Sequence, residues 1–458
     1  MQSTPKMDRE IHWKRGEADW MAKILYARQG FLVYLPMILV GLIIVVTAFV
    51  ESFIPLNDIS RYECYATVFW RGTQVFGLLP ANQCQFMYQF IQYHTFPIEY
   101  PPLTLVIFSL PLLVPQLPYA IKFAVEMAVV AALIYWLLLK FGPRGSHAVF
   151  AIYLLIGAVG TAFSRFDLVP AGLTLLSLIL VERKHWMLAY ITLAIGVLVK
   201  VYPALLFPVV FIAEQLDNPS FYYPQASVNI RDFPLHLWRL LRSIRCWKFK
   251  NFLVGLGVMA AITGLFGWWD FKNAVLGSVA SFIFRSFQAE STGSVIEWVL
   301  SLFGLPIFWI RELNSLNLIA QSTVTISRGL SIIMITGYIA VLIMLWQKRL
   351  DVVQASIATL LVLISTSKVF SPQYLIWLIP LLAYAGASQG KWRPFWGGIS
   401  LLTLLIFPVY YAFSMNMTDL PGVPGFMIII ALRDGLFILL TVAYLVDRWN
   451  LRQRVLEF

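Results

Sequence analysis

Apolar runs close to the thickness of a bilayer recur from one end of this chain to the other, and nothing else in it constrains the fold as strongly. The first, Phe31 to Phe53, is long enough to cross the ~30 Å hydrocarbon core as a helix. Inside hydrocarbon every backbone N–H and C=O must be bonded within the structure, so serial runs of this kind read as helices. With 59% of 458 residues hydrophobic and 12% charged, and a mean hydropathy of +0.76, no soluble domain of ordinary size fits between the runs. The sequence therefore predicts an all-α polytopic membrane protein. The formal net charge of +11 does not point to nucleic acid, because Lys and Arg gather in short loops between apolar runs, as they do on the cytosolic side of membrane proteins.

Loop charge gives an orientation. Phe31 to Phe53 crosses outward, and with no small-residue cleavage site after it we read a retained helix rather than a removed leader. Leu103 to Val114 contains Pro111 and is too short to span, so it reads as a half-helix before a full crossing, Tyr119 to Leu139, that ends inside at Lys140 and Arg144. Alternation through the remaining runs gives about twelve crossings with both termini cytosolic, the pattern of a multi-pass plasma-membrane protein. The chain then divides into a cytosolic segment (1–29), a first transmembrane helix (30–54), a first external loop (55–102), a transmembrane bundle (103–213) and a cytosolic segment (214–250). A second part of the bundle (251–446), with an external loop (269–321), and a cytosolic tail (447–458) follow. In 214–250 arginines and lysines alternate with Trp238 and Trp247, as in an amphipathic helix on an anionic leaflet. In the second external loop, the apolar stretch Val295 to Ile310 is expected to lie along the membrane surface.

Asp58 follows the first span by a few residues, in Asn57-Asp58-Ile59-Ser60-Arg61-Tyr62-Glu63. A carboxylate there meets both polar substrates and lipid head groups. Asp167 and Glu99 compete with it as a base: Asp167, flanked by Arg165, better suits pairing or donor orientation, and Glu99 precedes the turn Tyr100-Pro101-Pro102. Cations at outer helix ends run against the positive-inside bias, and Arg165, Lys200 and Lys368 are candidates for a lipid phosphate. The bland alternative for each is snorkelling to head groups. His94 is a further phosphate candidate. Tyr202, Gln373 and Tyr374, beside helix-breaking prolines, suit a sugar pocket. Of three cysteines, Cys64 and Cys84 share the first external loop, where a disulfide and two free thiols are equally compatible, and Cys246 reads as a reduced packing residue. No paired acids at ligand spacing suggest a metal.

Several short patterns together resemble glycosyltransferase family 87, the polyprenyl-phosphate-mannose-dependent mannosyltransferases of the GT-C superfamily. They are Asn57-Asp58-Ile59, Glu99-Tyr100-Pro101-Pro102-Leu103, Arg165-Phe166-Asp167-Leu168-Val169-Pro170-Ala171, the run from Gly196 through Lys200-Val201-Tyr202-Pro203 to Leu206, and the run from Phe370 through Ser371-Pro372-Gln373-Tyr374 to Pro380. Arg165-Phe166-Asp167 departs from the Gly-Gln found in many members. The resemblance implies a GT-C bundle of about a dozen helices with an external catalytic cavity, roofed by the first loop. It implies inverting transfer of a hexosyl unit from a polyprenyl phosphate sugar to a lipid or glycan hydroxyl, with Asp58 as base and no cofactor beyond the lipid-linked donor. Membrane lipid is the surrounding partner. A lipid or glycolipid transporter would instead carry ionisable residues at mid-membrane, where this reading finds Lys122 and Glu126 and little else. A polysaccharide ligase or polymerase would move whole chains.

Overall fold

The computed structural model describes residues 33–51, 58–80, 83–84, 95–97, 99–114, 116–218, 246–277, 285–312, 315–413 and 417–456. The segment 1–29, His94, Asn57 and most of 214–250 lie outside the described residues.

Five helices among these are long and apolar enough to cross a membrane: Tyr119–Phe141, Lys250–Gly277, Thr323–Trp346, Gly390–Tyr410 and Phe426–Arg448. Eight shorter apolar helices of 10–17 residues accompany them among the described residues, Thr104–Leu113 being the half-helix expected from its length and Pro111. The chain is a polytopic helical membrane protein. Outward-facing positions are apolar too, with Leu39, Leu42, Val46, Leu253, Leu265, Ile332, Ile335, Leu439 and Val442 all exposed. Such a surface is at home in lipid rather than water.

In chain order, α1 (Leu35–Glu51) packs on α4 (Tyr119–Phe141), and between them in sequence lie α2 (Asp58–Arg71) and the half-helix α3 (Thr104–Ser109). α5 (Ser146–Gly157), α6 (Leu168–Glu182), α7 (Trp186–Val199) and α8 (Leu206–Leu216) follow, with α7 packed against both α6 and α9 (Lys250–Phe271). The second part holds α10 (Thr292–Ser301), α11 (Thr323–Trp346), α12 (Val352–Thr366), α13 (Leu375–Ala385), α14 (Arg393–Leu404) and α15 (Phe426–Leu456). α12 starts on a reciprocal cap, the Asp351 carboxylate accepting from the Gln354 N–H at 2.7 Å while the Gln354 side chain accepts from the Asp351 N–H.

α2 is more than a surface loop. Ile59, Tyr62, Ala66 and Phe69 recur at helical spacing and are buried, and Tyr62 stacks on Phe108 at 4.3 Å. Gly72, at φ 56°, ends the helix in the left-handed conformation that glycine tolerates best. Cys64 on this helix is joined to Cys84 by a disulfide, with the Cα atoms 5.7 Å apart. The bond closes a loop of 20 positions, a constraint of about 3 kcal/mol in the chain-entropy account. Cys64→Ala/Cys84→Ala is expected to melt at a lower temperature in detergent, and a reductant should bring the wild type to the same value without moving the variant. Equal melting of all samples would show that the bond adds no stability.

Four readings change on the structure. The bundle is all-α, but the segment after α9 adds a three-stranded antiparallel sheet, β1 (Phe287–Gln288), β2 (Ile307–Glu312) and β3 (Ser315–Ala320), in the order β1-β3-β2. The stretch Val295 to Ile310 is consequently not one surface element: it is most of α10, a turn at Gly304, and the start of β2, because Gly304-Leu305-Pro306 breaks the helix. Cys246, expected to be packed, is exposed. The interior is also richer in charge than Lys122 and Glu126 alone, since Arg433 and Asp434 in α15 are fully buried.

The described ends of the segment between α8 and α9 are held together. The Gln215 side chain accepts from the Lys248 N–H at 2.8 Å and donates to its carbonyl at 3.2 Å, Asn218 donates to the Cys246 carbonyl at 2.8 Å, and Asn251 donates to Glu214 at 2.7 Å.

Candidate functional site

At the sheet-bearing end of the bundle several short helices stop together. α7 has 14 residues, a length of roughly 21 Å against a ~30 Å hydrocarbon core. Helices this short leave room for polar side chains at their ends. Asp167 precedes α6, Lys200 follows α7, and Gln373 and Tyr374 lead into α13.

Asp58 occupies the first turn of α2 and is ion-paired with Arg165, each side chain about one-fifth exposed. One turn on, at helical spacing, Arg61 pairs with Glu99, whose carboxylate also lies 3.5 Å from the Tyr65 hydroxyl. Both pairs are backed by an aromatic wall. Phe166 lies 5.7 Å from Tyr62, 5.2 Å from Tyr100 and 5.4 Å from Phe108, all edge-on.

Arg165 and Asp167 are two residues apart and diverge, so Asp167 is not partnered by its sequence neighbour. Its fully buried carboxylate instead accepts on one oxygen from the Lys200 ammonium and from the Trp377 indole N–H. The other oxygen, also buried, has no hydrogen-bond partner. Trp377 is stacked between Tyr202, at 4.2 Å, and Tyr374, at 3.9 Å. The Lys200 ammonium sits 5.0 Å from the Phe166 ring, 5.2 Å from Trp377 and 5.8 Å from Tyr374, an arrangement that attracts a cation to ring faces. Burial pulls the Lys200 pKa below the ordinary lysine range, and Asp167 opposes this only in part. Thr174 lies 3.4 Å from the Tyr202 hydroxyl.

A further wall comes from the sheet segment and α15. Glu290 is buried, accepts from the Tyr411 hydroxyl at 2.5 Å and from the Gln288 amide, and lies within electrostatic reach of Arg433, Arg165 and Arg285. Burial raises its pKa above the usual carboxylate range, while the Tyr411 bond and the three arginines pull the other way.

The structure thus gathers Asp58, Arg165, Asp167, Lys200, Tyr202, Tyr374 and Tyr100 at one end of the bundle. Glu99 is there too, committed to Arg61. Gln373 accepts from the Ser371 hydroxyl at 3.2 Å. Lys368 joins through its backbone, its carbonyl accepting from the Gln288 N–H at 2.9 Å. His94 is not among the described residues. Sequence reasoning gave no site role to Trp377, which lies inside the Phe370–Pro380 motif, or to Glu290, Tyr411 and Arg433. The available signals were an indole three residues after Tyr374 and an Arg-Asp dipeptide inside an apolar run, which marks function by default.

Residues 98–216 match glycosyltransferase family 87. This stretch carries Glu99, Tyr100, Arg165, Asp167, Lys200 and Tyr202, and supports the family to which the motifs point. Among solved structures, the chain is similar to the crystal structure of ArnT from Cupriavidus metallidurans in the apo state, with 14% identity over 89% of this chain and 76% of that chain and a TM-score of 0.38. No curated protein matches the sequence.

Proposed function

We propose that this chain, a membrane glycosyltransferase of the family-87 type, moves a mannosyl or related hexosyl unit from a polyprenyl phosphate to a hydroxyl of a lipid-anchored or glycan acceptor. Transfer takes place with inversion on the outer face of the plasma membrane, where the sheet-bearing end lies if both termini are cytosolic. The observation that carries the reading is the Asp58–Arg165 pair beside the Lys200–Asp167–Trp377 cluster: one partly exposed carboxylate and two cations set against a cluster of aromatic rings.

In the reaction, the acceptor hydroxyl attacks the anomeric carbon from the face opposite the phosphate. The new C–O bond forms as the bond to the phosphate oxygen breaks, the proton passes to the Asp58 carboxylate, and polyprenyl phosphate leaves with the electron pair. Arg165 orients Asp58 and, with Lys200 and Lys368, stabilises the charge on the leaving phosphate. Asp167 holds Lys200 in place rather than acting as a base. Tyr100, Tyr202, Gln373 and Tyr374 shape the sugar pocket, and the activated donor makes a separate cofactor unnecessary.

The test is transfer of radiolabelled mannose from synthetic polyprenyl phosphate mannose to endogenous lipid in membranes containing the chain. Labelled glycolipid is the expected product. Label that stays on the donor while another polyprenyl-linked hexose is consumed would exclude mannose. Movement of lipid-linked sugar between leaflets with no glycosidic bond broken would favour a transporter, a reading to which the buried Arg433–Asp434 pair lends some support.

A further inference from the structure

α15 is apolar on either side of Arg433 and Asp434, and both are buried. The Arg433 Nε donates to the Asp434 carboxylate at 2.9 Å. One terminal nitrogen donates to the carbonyl of Glu290 and, at 3.3 Å, to that of Phe370. The guanidinium also lies 3.9 Å from the centre of the Phe370 ring. A single side chain therefore ties three segments that are far apart in sequence: the last helix, the residue before the Ser291 cap of α10, and the loop ahead of α13. The two non-helical segments also hold each other, through the Gln288 N–H and the Lys368 carbonyl.

The position of that loop matters because Tyr374 and Trp377 follow Phe370 within seven residues, and it is against their rings that Lys200 and Asp167 are arranged. A buried ion pair is poor evidence of stabilisation, since an apolar pair of similar size is often as stable or more so. What an apolar pair cannot do is bond two backbone carbonyls of other segments.

We propose that Arg433 is a positioning residue for sugar transfer: by bonding the Glu290 and Phe370 carbonyls it fixes the segment from Phe370 to Trp377 against the Lys200–Asp167 pair, and it does so without touching donor or acceptor. The kinetic side of this rests on the transferase reading; the tether itself does not.

Arg433→Met alone strands a buried carboxylate and can unfold the protein, so the informative variant is Arg433→Met/Asp434→Asn, which removes both charges. It should melt close to the wild type. Hydrogen–deuterium exchange at the Gln288 amide and across residues 367–377 should rise by about tenfold or more as those segments separate. In the transfer assay kcat should fall by about 10- to 100-fold, the size of effect that a ~1 Å misplacement produces, with KM for the donor changed less than about threefold. Wild-type exchange in a stably folded double variant overturns the tether whatever its activity. Raised exchange with an unchanged kcat overturns the positioning role. A wild type that transfers no sugar from any polyprenyl-linked donor overturns the transferase reading instead, and the exchange measurement still decides the tether.

Discussion

Asp58→Asn is expected to lower sugar transfer by about 10²- to 10⁴-fold, the range that a positioned general base supplies. Asparagine keeps the shape and can still accept from Arg165, so the head of α2, its aromatic packing on Phe108 and the Cys64–Cys84 bond remain as they are. What disappears is a group able to take the proton of the attacking hydroxyl. Melting temperature and donor binding should therefore stay near wild type while turnover collapses, the pattern of an interaction made only in the transition state. Asp58→Glu, which retains the chemistry but displaces it by one methylene, should keep partial activity. If Asp58→Asn turns over normally, the base lies elsewhere, and Glu290 then becomes the carboxylate to test, being within electrostatic reach of Arg165.

Replacing Lys200 should have the next largest effect, and in two separable ways. Lys200→Met leaves the fully buried Asp167 carboxylate with only the Trp377 indole as a donor, and removing one partner of a buried pair destabilises by about 3–5 kcal/mol. It also deletes a cation assigned to the leaving phosphate. Lys200→Met/Asp167→Asn separates the two losses: stability should return and transfer should not, whereas recovery of both would reduce Lys200 to a structural counter-ion. The pH profile gives an independent check. Burial lowers the Lys200 pKa, so activity that needs its ammonium is full below that value and declines as pH climbs through it, earlier than for an exposed lysine. Arginine remains protonated throughout this range, and Lys200→Arg, though slower, should lose or shift upward the alkaline limb. An identical limb in wild type and variant would mean that another group titrates there.

Much of the architecture was legible in one dimension. Bilayer-length apolar runs dictated helices, since hydrocarbon offers the backbone no other partner. Prolines and polar residues at helix ends marked the points around Lys200-Val201-Tyr202-Pro203 and Ser371-Pro372-Gln373-Tyr374 where the chain breaks, and the cluster formed at those breaks. The sheet was hidden because β2 begins inside an apolar stretch that continues from α10, although Gly304 and Pro306 announced the interruption. The same apolar background concealed Arg433 and Asp434 within α15.

The sequence by itself determined which side chains stand at helix ends, because periodicity and chain-breaking residues act locally. Only the tertiary structure decided their partners. Asp167 pairs with Lys200, 33 positions on, rather than with Arg165, two positions before it, and it bonds Trp377 at a separation of 210, while Arg433 reaches Glu290 across 143. Residues two apart at an irregular helix start can point to different neighbours, and a buried charge takes whichever counter-group helix packing brings within hydrogen-bonding distance. Packing is a property of the whole bundle, and no local pattern encodes it.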